Sequence, residues 1–284
     1  MRKMLLLGLL FPSLLHAQQI SLDLFGGFAN YQGDLQPKKF STDQARGAFG
    51  LGLRYGLTDH FDVRANFTYA RVGAADKFNK SNSALLQRNL SFETKITEGS
   101  LLLDYNILSL NYHSFTPYVF GGVAIYHFNP YAYDTLNNRV YLHPLSTEGE
   151  GLSQYPDRKP YHLTQFAIPF GGGVRWRVTD NVVLSYEIGL RKLFTDRLDD
   201  VSTTYVDQAT LIAAKGSKAA EMAFRGGELK TGAAYPADGT KRGGSEFKDW
   251  YYFSGITVSI GIGSTRTRGG MSDRGNISCP KKVL

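Results

Sequence analysis

The chain has 284 residues, a formal net charge of +7 and one cysteine, Cys279, and its length fits one or two domains. A single cysteine excludes a framework of internal disulfides, and we expect no nucleic-acid partner. Aromatic residues make up 13% of the chain, with 17 tyrosines, 18 phenylalanines and 31 glycines, an excess over ordinary soluble proteins.

The first nineteen residues have the pattern of a secretory signal peptide. Arg2 and Lys3 precede a short apolar run at 5–15, and Ala17 ends a plausible cleavage site. A helix that spans a bilayer needs about 20 apolar residues, so this run is too short to be one. No cysteine lies near the cleavage site, which argues against a lipoprotein. We therefore expect residues 1–19 to be removed and the rest to enter an oxidising compartment.

Eight segments then alternate apolar and polar residues with a period of two, as half-buried strands do. In FDVRANFTYAR, for example, Phe61, Phe67 and Tyr69 share one face, whereas Arg64 and Asn66 share the other. The fifth segment, FTPYVFGGVAIYHF, is apolar on both faces, so its orientation is not predicted. The eight predicted strands are 20–31, 46–57, 61–71, 95–108, 115–128, 163–178, 182–194 and 250–263.

Short links (TDH, SLNYHS and TDN) alternate with long ones, the longest at 195–249. This alternation is typical of outer-membrane barrels, in which tight periplasmic turns alternate with long outer loops. A soluble two-sheet protein is the alternative, but strands of about 10 to 14 residues suit a tilted membrane span better. We predict an all-β fold, an eight-stranded antiparallel transmembrane β-barrel over 20–263, with long extracellular loops, both termini in the periplasm and a flexible basic tail at 264–284.

Aromatic residues bunch at the strand ends, as two interfacial girdles would. Their preference for strands explains their number but not this bunching. The predicted girdle beside the short turns is Tyr55, Phe61, Tyr105 and Trp176, and the one beside the long loops is Tyr31, Tyr69, Phe166, Trp250 and Tyr252.

The inward faces of the predicted strands carry charges of both signs. Eight strands enclose an interior that side chains just fill, and charges held away from water must be paired. We therefore expect a structural plug rather than a conducting or catalytic network. The glycines of FGGGVRW are expected to mark a bend or close packing in the wall. The expected lumen charges are Asp23, Arg54, Arg64, Glu98, Asp104, Arg175, Glu187 and Arg191.

Signals for catalysis or metal binding are weak, and we expect no enzyme activity, cofactor or metal. The chain has no G-x-S-x-G motif and no histidine pair at helical spacing. A lipid enzyme could be imagined around His162 and Ser153, but scattered loop histidines favour no such site. Asp196, Asp199 and Asp200 could bind calcium, although without the spacing of an EF-hand they are better explained as a solvated loop start.

Five phrases occur in order along the chain: ITEGSLLLDYNIL, FTPYVFGGVAIYHFNP, PLSTEGEGL, IPFGGGVRW and LFTDRLDDVSTTYVD. In these phrases the chain resembles, over 20–263, the Bacteroidota outer-membrane barrel family that includes PorG, a component of the type IX secretion machinery. The resemblance implies a small outer-membrane barrel. In PorG members the barrel attaches a periplasmic ring of the lipoprotein PorK and its partner PorN to the membrane, and is not the translocation pore. Related barrels of unassigned role share the same phrases.

The basic tail has no apolar periodicity and a single acidic residue, Asp273. It is either a solvated leftover or a docking arm for an acidic partner. Cys279 has no partner within the chain, so it is a free thiol or forms an intermolecular disulfide, and we favour the disulfide. The candidate partner-binding residues are Cys279, Lys281, Lys282, Arg274, Arg268 and Arg266.

Three functions remain open at this point. The first is a non-enzymatic, PorG-like membrane anchor for a periplasmic secretion or gliding complex that resembles PorK and PorN. The second is an OmpA-like surface barrel whose long loops bind a ligand or a host surface. The third, an outer-membrane lipid enzyme, has the least support.

Overall fold

The computed structural model describes residues 20–36, 44–230, 232–246 and 248–262. The predicted signal peptide and the basic tail with Cys279 lie outside these ranges. The division into signal peptide, barrel and tail therefore stays a prediction.

Eight long strands form one closed antiparallel barrel. Each pairs with its neighbour, and the last strand returns to the first, from Ile20 opposite Ile262 to Gln32 opposite Trp250. The strands are β1 (Ile20–Gln32), β2 (Arg46–Gly56), β3 (Phe61–Ala75), β4 (Ser91–Asn106), β5 (Phe115–His127), β8 (Thr164–Arg177), β9 (Val182–Leu193) and β10 (Trp250–Ile262), and the two short strands β6 (Tyr131–Tyr133) and β7 (Arg139–Tyr141) extend the sheet beyond β4.

The strand boundaries match the periodic pattern closely. The largest differences are at β3, which runs to Ala75, and at β4, which begins at Ser91. Both strands are longer than predicted because they continue together past the loop-side rim, where Ala75 pairs with Ser91. On β3 the sequence pattern weakens there because residues 72–75 are buried on both faces.

The long links contain the helices, which are α1 (Ser83–Arg88), α2 (Gln208–Lys215) and α3 (Ser217–Ala223), together with single 3-10 turns at Asp76–Phe78, His143–Leu145 and Gly226–Glu228. Asn82 starts α1 by accepting hydrogen bonds from the backbone N–H groups of Ala84 and Leu85. Asp207 starts α2 in the same way through Thr210. Within the described ranges, no helix is both long and apolar enough to cross a membrane.

The outer surface of the barrel is apolar. Outward side chains such as Phe67, Val123 and Phe166 are exposed by 56%, 61% and 68%, whereas inward residues of the same strands are buried. On β5, the strand of undecided orientation, Val123 faces outward while Tyr118 faces the lumen. An apolar surface around the whole wall is unfavourable in water and matches the lipid-facing band of membrane barrels. The predicted eight-stranded antiparallel barrel of the outer-membrane type is confirmed.

The long links fold together over one rim of the barrel. We call this part the cap and define it as residues 33–36, 76–90, 128–163 and 194–249, as far as they are described. Its apolar residues Leu35, Leu198 and Met222 join Phe92 and Tyr126 of the barrel interior in one core. A second core within the cap contains Leu152, Val206, Leu211, Ala219, Ala220 and Ala223.

The structure corrects two expectations at this rim. Asp196, Asp199 and Asp200 are only 7%, 1% and 1% exposed, so they are not a solvated loop start. Tyr31 is fully buried and does not belong to an interfacial girdle. It lies on the inward face of β1, where the cap packs against it and its ring contacts Phe92 edge-on at 4.8 Å.

Candidate functional site

A cluster of ion pairs fills the barrel interior, with Asp104 of β4 in the middle. Asp104 pairs with Arg54 of β2 at 3.1 Å and with Arg64 of β3 at 2.8 Å. Arg175 of β8 is a third guanidinium in contact with the same carboxylate. Arg54 also pairs with Asp23 of β1 at 2.6 Å. These contacts join five strands across the interior, because each residue comes from a different strand.

Glu187 of β9 extends this cluster. It accepts hydrogen bonds from Nη1 of Arg64 at 2.8 Å and from the hydroxyl of Tyr118 at 2.6 Å. The guanidinium of Arg175 lies 3.8 Å from the centre of the Tyr118 ring, a cation–π contact. Gly173 makes room for that ring, since a Cβ there would lie 3.0 Å from Tyr118 Cε1. Close packing is thus one role of the glycines in FGGGVRW.

A separate pair joins Arg191 of β9 to Glu98 of β4. Nε and Nη2 of Arg191 donate to the two carboxylate oxygens, each at 3.1 Å. The hydroxyl of Tyr251 donates to the same carboxylate at 2.7 Å, and the guanidinium lies 4.1 Å from the ring centre of Phe253. Because β4 and β9 are not neighbours in the sheet, this bidentate pair crosses the lumen.

The six residues predicted as the lumen network all face the interior, and each one contacts an opposite charge. One cavity among them, next to Asp23, has a volume of about 20 Å³ and room for roughly one water molecule. Such an arrangement can hold a barrel closed, and it stabilises the fold only while every charge keeps its partner. The six residues are Arg64, Glu98, Asp104, Arg175, Glu187 and Arg191.

The cap has its own buried polar network around Glu148. Its carboxylate pairs with Nη1 of Arg242 at 2.9 Å and with Nη1 of Arg197 at 3.0 Å. It also accepts the backbone N–H groups of Ser202 and Thr203 at 2.8 and 2.9 Å. Burial opposes ionisation of Glu148, but the two arginines outweigh it and hold its pKa below the usual value. Glu148 therefore fastens two distant parts of the cap to each other.

Two further carboxylates of the cap, Asp199 and Asp249, meet at Tyr31. The hydroxyl of Tyr31 lies 2.5 Å from Asp199 Oδ2 and 3.3 Å from Asp249 Oδ1. Burial raises the pKa of both carboxyl groups well above the usual value, and nearby aspartates raise it further. The surroundings favour a protonated carboxyl group in this pair, because two buried negative charges would repel each other.

Asp200, the next residue along the chain, binds two hydroxyl groups. Thr147 and Tyr161 each donate to it at 2.6 Å. Burial, and then the charge of Glu150, raises the pKa of Asp200 to about 7. Its backbone is left-handed, with a φ of 64°.

This cap network is not predicted by the sequence pattern. The acidic residues of PLSTEGEGL and DRLDD were visible, but nothing in their spacing indicates burial. Their partners are far away in the chain: Glu148 reaches Arg242, and Tyr31 reaches Asp199.

The residues considered for catalysis and metal binding have other contacts. Ser153 donates its hydroxyl to Gln154 at 3.1 Å, and the carbonyl of His162 accepts from Gln165 at 2.9 Å. Asp196 accepts the hydroxyl of Ser202 at 2.7 Å. In the part of the chain that the structure describes, no group of three or more His, Cys, Asp or Glu side chains could hold a metal ion.

A groove of about 460 Å³ opens between α1 and the last part of the cap. Tyr205, Phe224 and Pro236 supply apolar surface, Arg88, Lys241 and Arg242 are basic, and Asp34 is acidic. The guanidinium of Arg88 is already committed, because it donates to both oxygens of Asp76 at 2.7 Å. The groove is large enough for a small molecule or a peptide side chain with both apolar and polar parts.

The partner-binding candidates of the tail lie outside the described residues, so their role stays a prediction. They are Arg266, Arg268, Arg274, Cys279, Lys281 and Lys282.

Solved structures of outer-membrane barrels resemble this fold. Ail of Yersinia pestis, solved with the heparin analogue sucrose octasulfate, is 9% identical over 86% of this chain and 99% of its own, with a TM-score of 0.41. Neisserial surface protein A has the same identity and TM-score over 86% and 97% of the chains. OprG of Pseudomonas aeruginosa is 13% identical over 85% and 96%, with a TM-score of 0.39. At these identities the likeness concerns the fold alone.

No curated protein matches the sequence. A family profile described as a domain of unknown function, DUF6089, matches residues 2–212, which is well over half of the chain. The chain therefore belongs to the DUF6089 family.

Proposed function

We propose that this protein is an integral barrel of the outer membrane, closed to diffusion, that attaches a protein assembly to that membrane. The observation that carries the proposal is the ion-paired interior, in which the cavity beside Asp23 holds roughly one water molecule. A barrel filled in this way suits attachment better than transport. The cap, which packs over one rim through a buried core, is a second obstruction to diffusion.

The membrane placement is supported by the outer wall. Exposed apolar side chains cover it from strand to strand, and aromatic residues lie at both ends of the strands. Tyr105 and Trp176 are exposed by 43% and 57% beside the short turns, and Tyr69 by 41% towards the cap. Aromatic rings at two levels are typical of a protein whose wall meets lipid headgroups on both sides.

The attached assembly is proposed from the resemblance to the PorG-containing family. It would be a periplasmic secretion ring whose proteins resemble PorK and PorN. Both ends of the described barrel, Ile20 and Ile262, pair with each other at the rim of the short turns, which in outer-membrane barrels faces the periplasm. The basic tail would start at that rim and bind an acidic surface of the ring, with Cys279 forming an intermolecular disulfide.

Co-purification from gently solubilised envelopes tests this attachment. We expect the full chain to bring periplasmic ring proteins with it, and a variant without residues 264–284 to insert into the membrane but to lose them. The Cys279→Ser variant distinguishes the contribution of the disulfide from that of the basic residues. On a non-reducing gel the wild type should run as a larger adduct that the variant lacks. Ring proteins that stay bound without the tail would contradict the proposed attachment.

A second candidate function, ligand binding at the cell surface, is favoured by the groove of the cap. Its aromatic lining and the charged side chains of Lys241 and Asp34 suit an amphipathic ligand. Replacing the 195–249 loop separates the two candidates, because it should abolish surface binding and leave ring proteins bound. If that variant lost the ring proteins, the result would argue against both the tail and the rim of the short turns as the attachment site.

A further inference from the structure

The outward faces of the eight long strands carry few charges, and all of them are on the cap side. Arg71 of β3, Lys95 of β4 and Lys192 of β9 are basic, and Glu93 of β4 is acidic. Glu93 is already bound, since Arg46 pairs with it at 3.0 Å and the hydroxyl of Tyr131 donates to it at 3.0 Å. The wall therefore presents unmatched positive charge on one side of its apolar belt only.

Arg71 and Lys95 lie directly opposite each other in the register of β3 and β4. Side chains in such a pair have Cβ atoms about 5 Å apart, and like charges there destabilise the sheet. Both side chains are exposed, and neither forms an ion pair or hydrogen bond with any described residue. An anion bound between them would remove the repulsion and satisfy both cations.

An apolar slot lies four residues further along β4 towards the short turns, beyond an outward row of Tyr69, Thr97 and His127. Gly99 has no side chain, and its cross-strand neighbours are Phe67 of β3 and Ile125 of β5. Phe67 and Ile125 are 56% and 48% exposed, so they stand out on both sides of the glycine. A Cβ at Gly99 would meet nothing closer than Ile125 Cγ2 at 3.9 Å, which shows that the slot is open. The open space over the glycine therefore leaves room for an alkyl chain.

We propose that Arg71 and Lys95 bind the phosphate of an anionic lipid in the surrounding leaflet, with one acyl chain of that lipid in the slot at Gly99. The cation pair lies on β3 and β4, and the slot extends from β3 across β4 to β5. Both are on the lipid-facing side of the wall, so the ligand needs both a phosphate and an alkyl chain. A soluble anion without an alkyl chain could bind only the cation pair. The inference rests on the membrane placement in the proposed function, and not on the attached assembly.

Lipid A with and without its phosphates is the probe, added to the full-length protein in zwitterionic detergent. We expect native mass spectrometry to show phosphorylated lipid A retained by the wild type, with a rise in its unfolding temperature. Arg71→Ala/Lys95→Ala should weaken retention at least about tenfold, because two charge-assisted contacts are lost. Without lipid, the unfolding temperature of this variant should equal or exceed that of the wild type, since the repulsion is gone.

Two control variants make the result specific. Lys192→Ala/Lys159→Ala removes the same net charge elsewhere and should retain lipid A as the wild type does. Gly99→Leu fills the slot and should weaken lipid A binding without changing competition by inorganic phosphate.

Equal retention by the wild type and Arg71→Ala/Lys95→Ala would overturn the proposal. Equal stabilisation by inorganic phosphate alone would overturn the choice of a lipid. Insertion into zwitterionic vesicles is a separate measurement, and failure of the protein to insert would contradict the membrane placement itself.

Discussion

Single residues in the barrel interior depend on their partners, because each charge there is removed from water. Arg191 and Glu98 are 3% and 0% exposed. Replacing both by apolar residues removes two charges together, whereas removing one leaves the other unpaired.

We expect Arg191→Met to lower the free energy of unfolding by about 3–5 kcal/mol, since Glu98 would stay buried without its cation. The double variant Arg191→Met/Glu98→Leu should lose less of its free energy of unfolding. Urea unfolding in detergent micelles measures both, and Lys192→Met, which changes an exposed neighbour, is the matched control. A double variant that is less stable than the single one would contradict the dependence on pairing.

Asp200 makes the stability of the cap depend on pH. Its pKa in the folded cap is about 7, as a result of burial and of Glu150, whereas an unfolded aspartate titrates near about 3.9. The folded state therefore holds the proton more tightly, so this contribution to stability is present below about 4 and is lost as the pH rises to 7. Asparagine keeps an acceptor oxygen and tolerates the left-handed backbone.

We thus expect Asp200→Asn to slow proteolysis of the cap at pH 7 to 8 and to flatten its pH dependence between about 4 and 7. Asp157→Asn, an exposed carboxylate of the same cap, is the control. An unchanged pH dependence in Asp200→Asn would show that this carboxyl group does not titrate in that range.

At the scale of elements, β8 packs closely against the ring of Tyr118 through Gly173. We expect Gly173→Ala to lower the free energy of unfolding by about 1–3 kcal/mol, because the new Cβ has no room; its distance to Tyr186 O would be 2.2 Å. Gly121→Ala on β5 is the matched control, since the nearest atom there is 4.0 Å away. Equal stability of the two variants, measured by urea unfolding, would refute the packing role.

We expect the cap to open while the barrel stays closed. Leu198 is fully buried in the shared core, so Leu198→Ala should cost about 2–5 kcal/mol of cap stability. We expect trypsin to cut within 194–249 sooner, while the strands stay protected. Leu136→Ala, at a position 79% exposed, should have no such effect. Simultaneous loss of strand protection would show that cap and barrel unfold as one unit.

The strands could be predicted from the sequence because each has one apolar and one polar face, as Phe67 and Arg64 illustrate on β3. The orientation of β5 could not, since Tyr118 and Val123 are both compatible with either face. The cap was not predicted either, because its burial comes from contacts such as Tyr31 with Asp199, far apart in the chain. Of the candidate site, the charged interior was predictable from the barrel pattern, whereas the network around Glu148 was not.

At the scale of the whole molecule, three features act together. The apolar wall favours a bilayer, the paired charges fill the lumen, and the cap covers the rim with the long links. The basic residues of the wall lie only on the cap side, so the two membrane leaflets would meet different surfaces. Under the proposed function, such a barrel would present its two rims to two compartments without joining them.

Ion conductance across a planar bilayer tests the closed barrel most directly. We expect the wild-type protein, reconstituted at a density confirmed by electron microscopy, to give no stepwise current, while a porin in the same bilayer does. Steady current steps from the wild type would contradict the account of a filled and closed barrel.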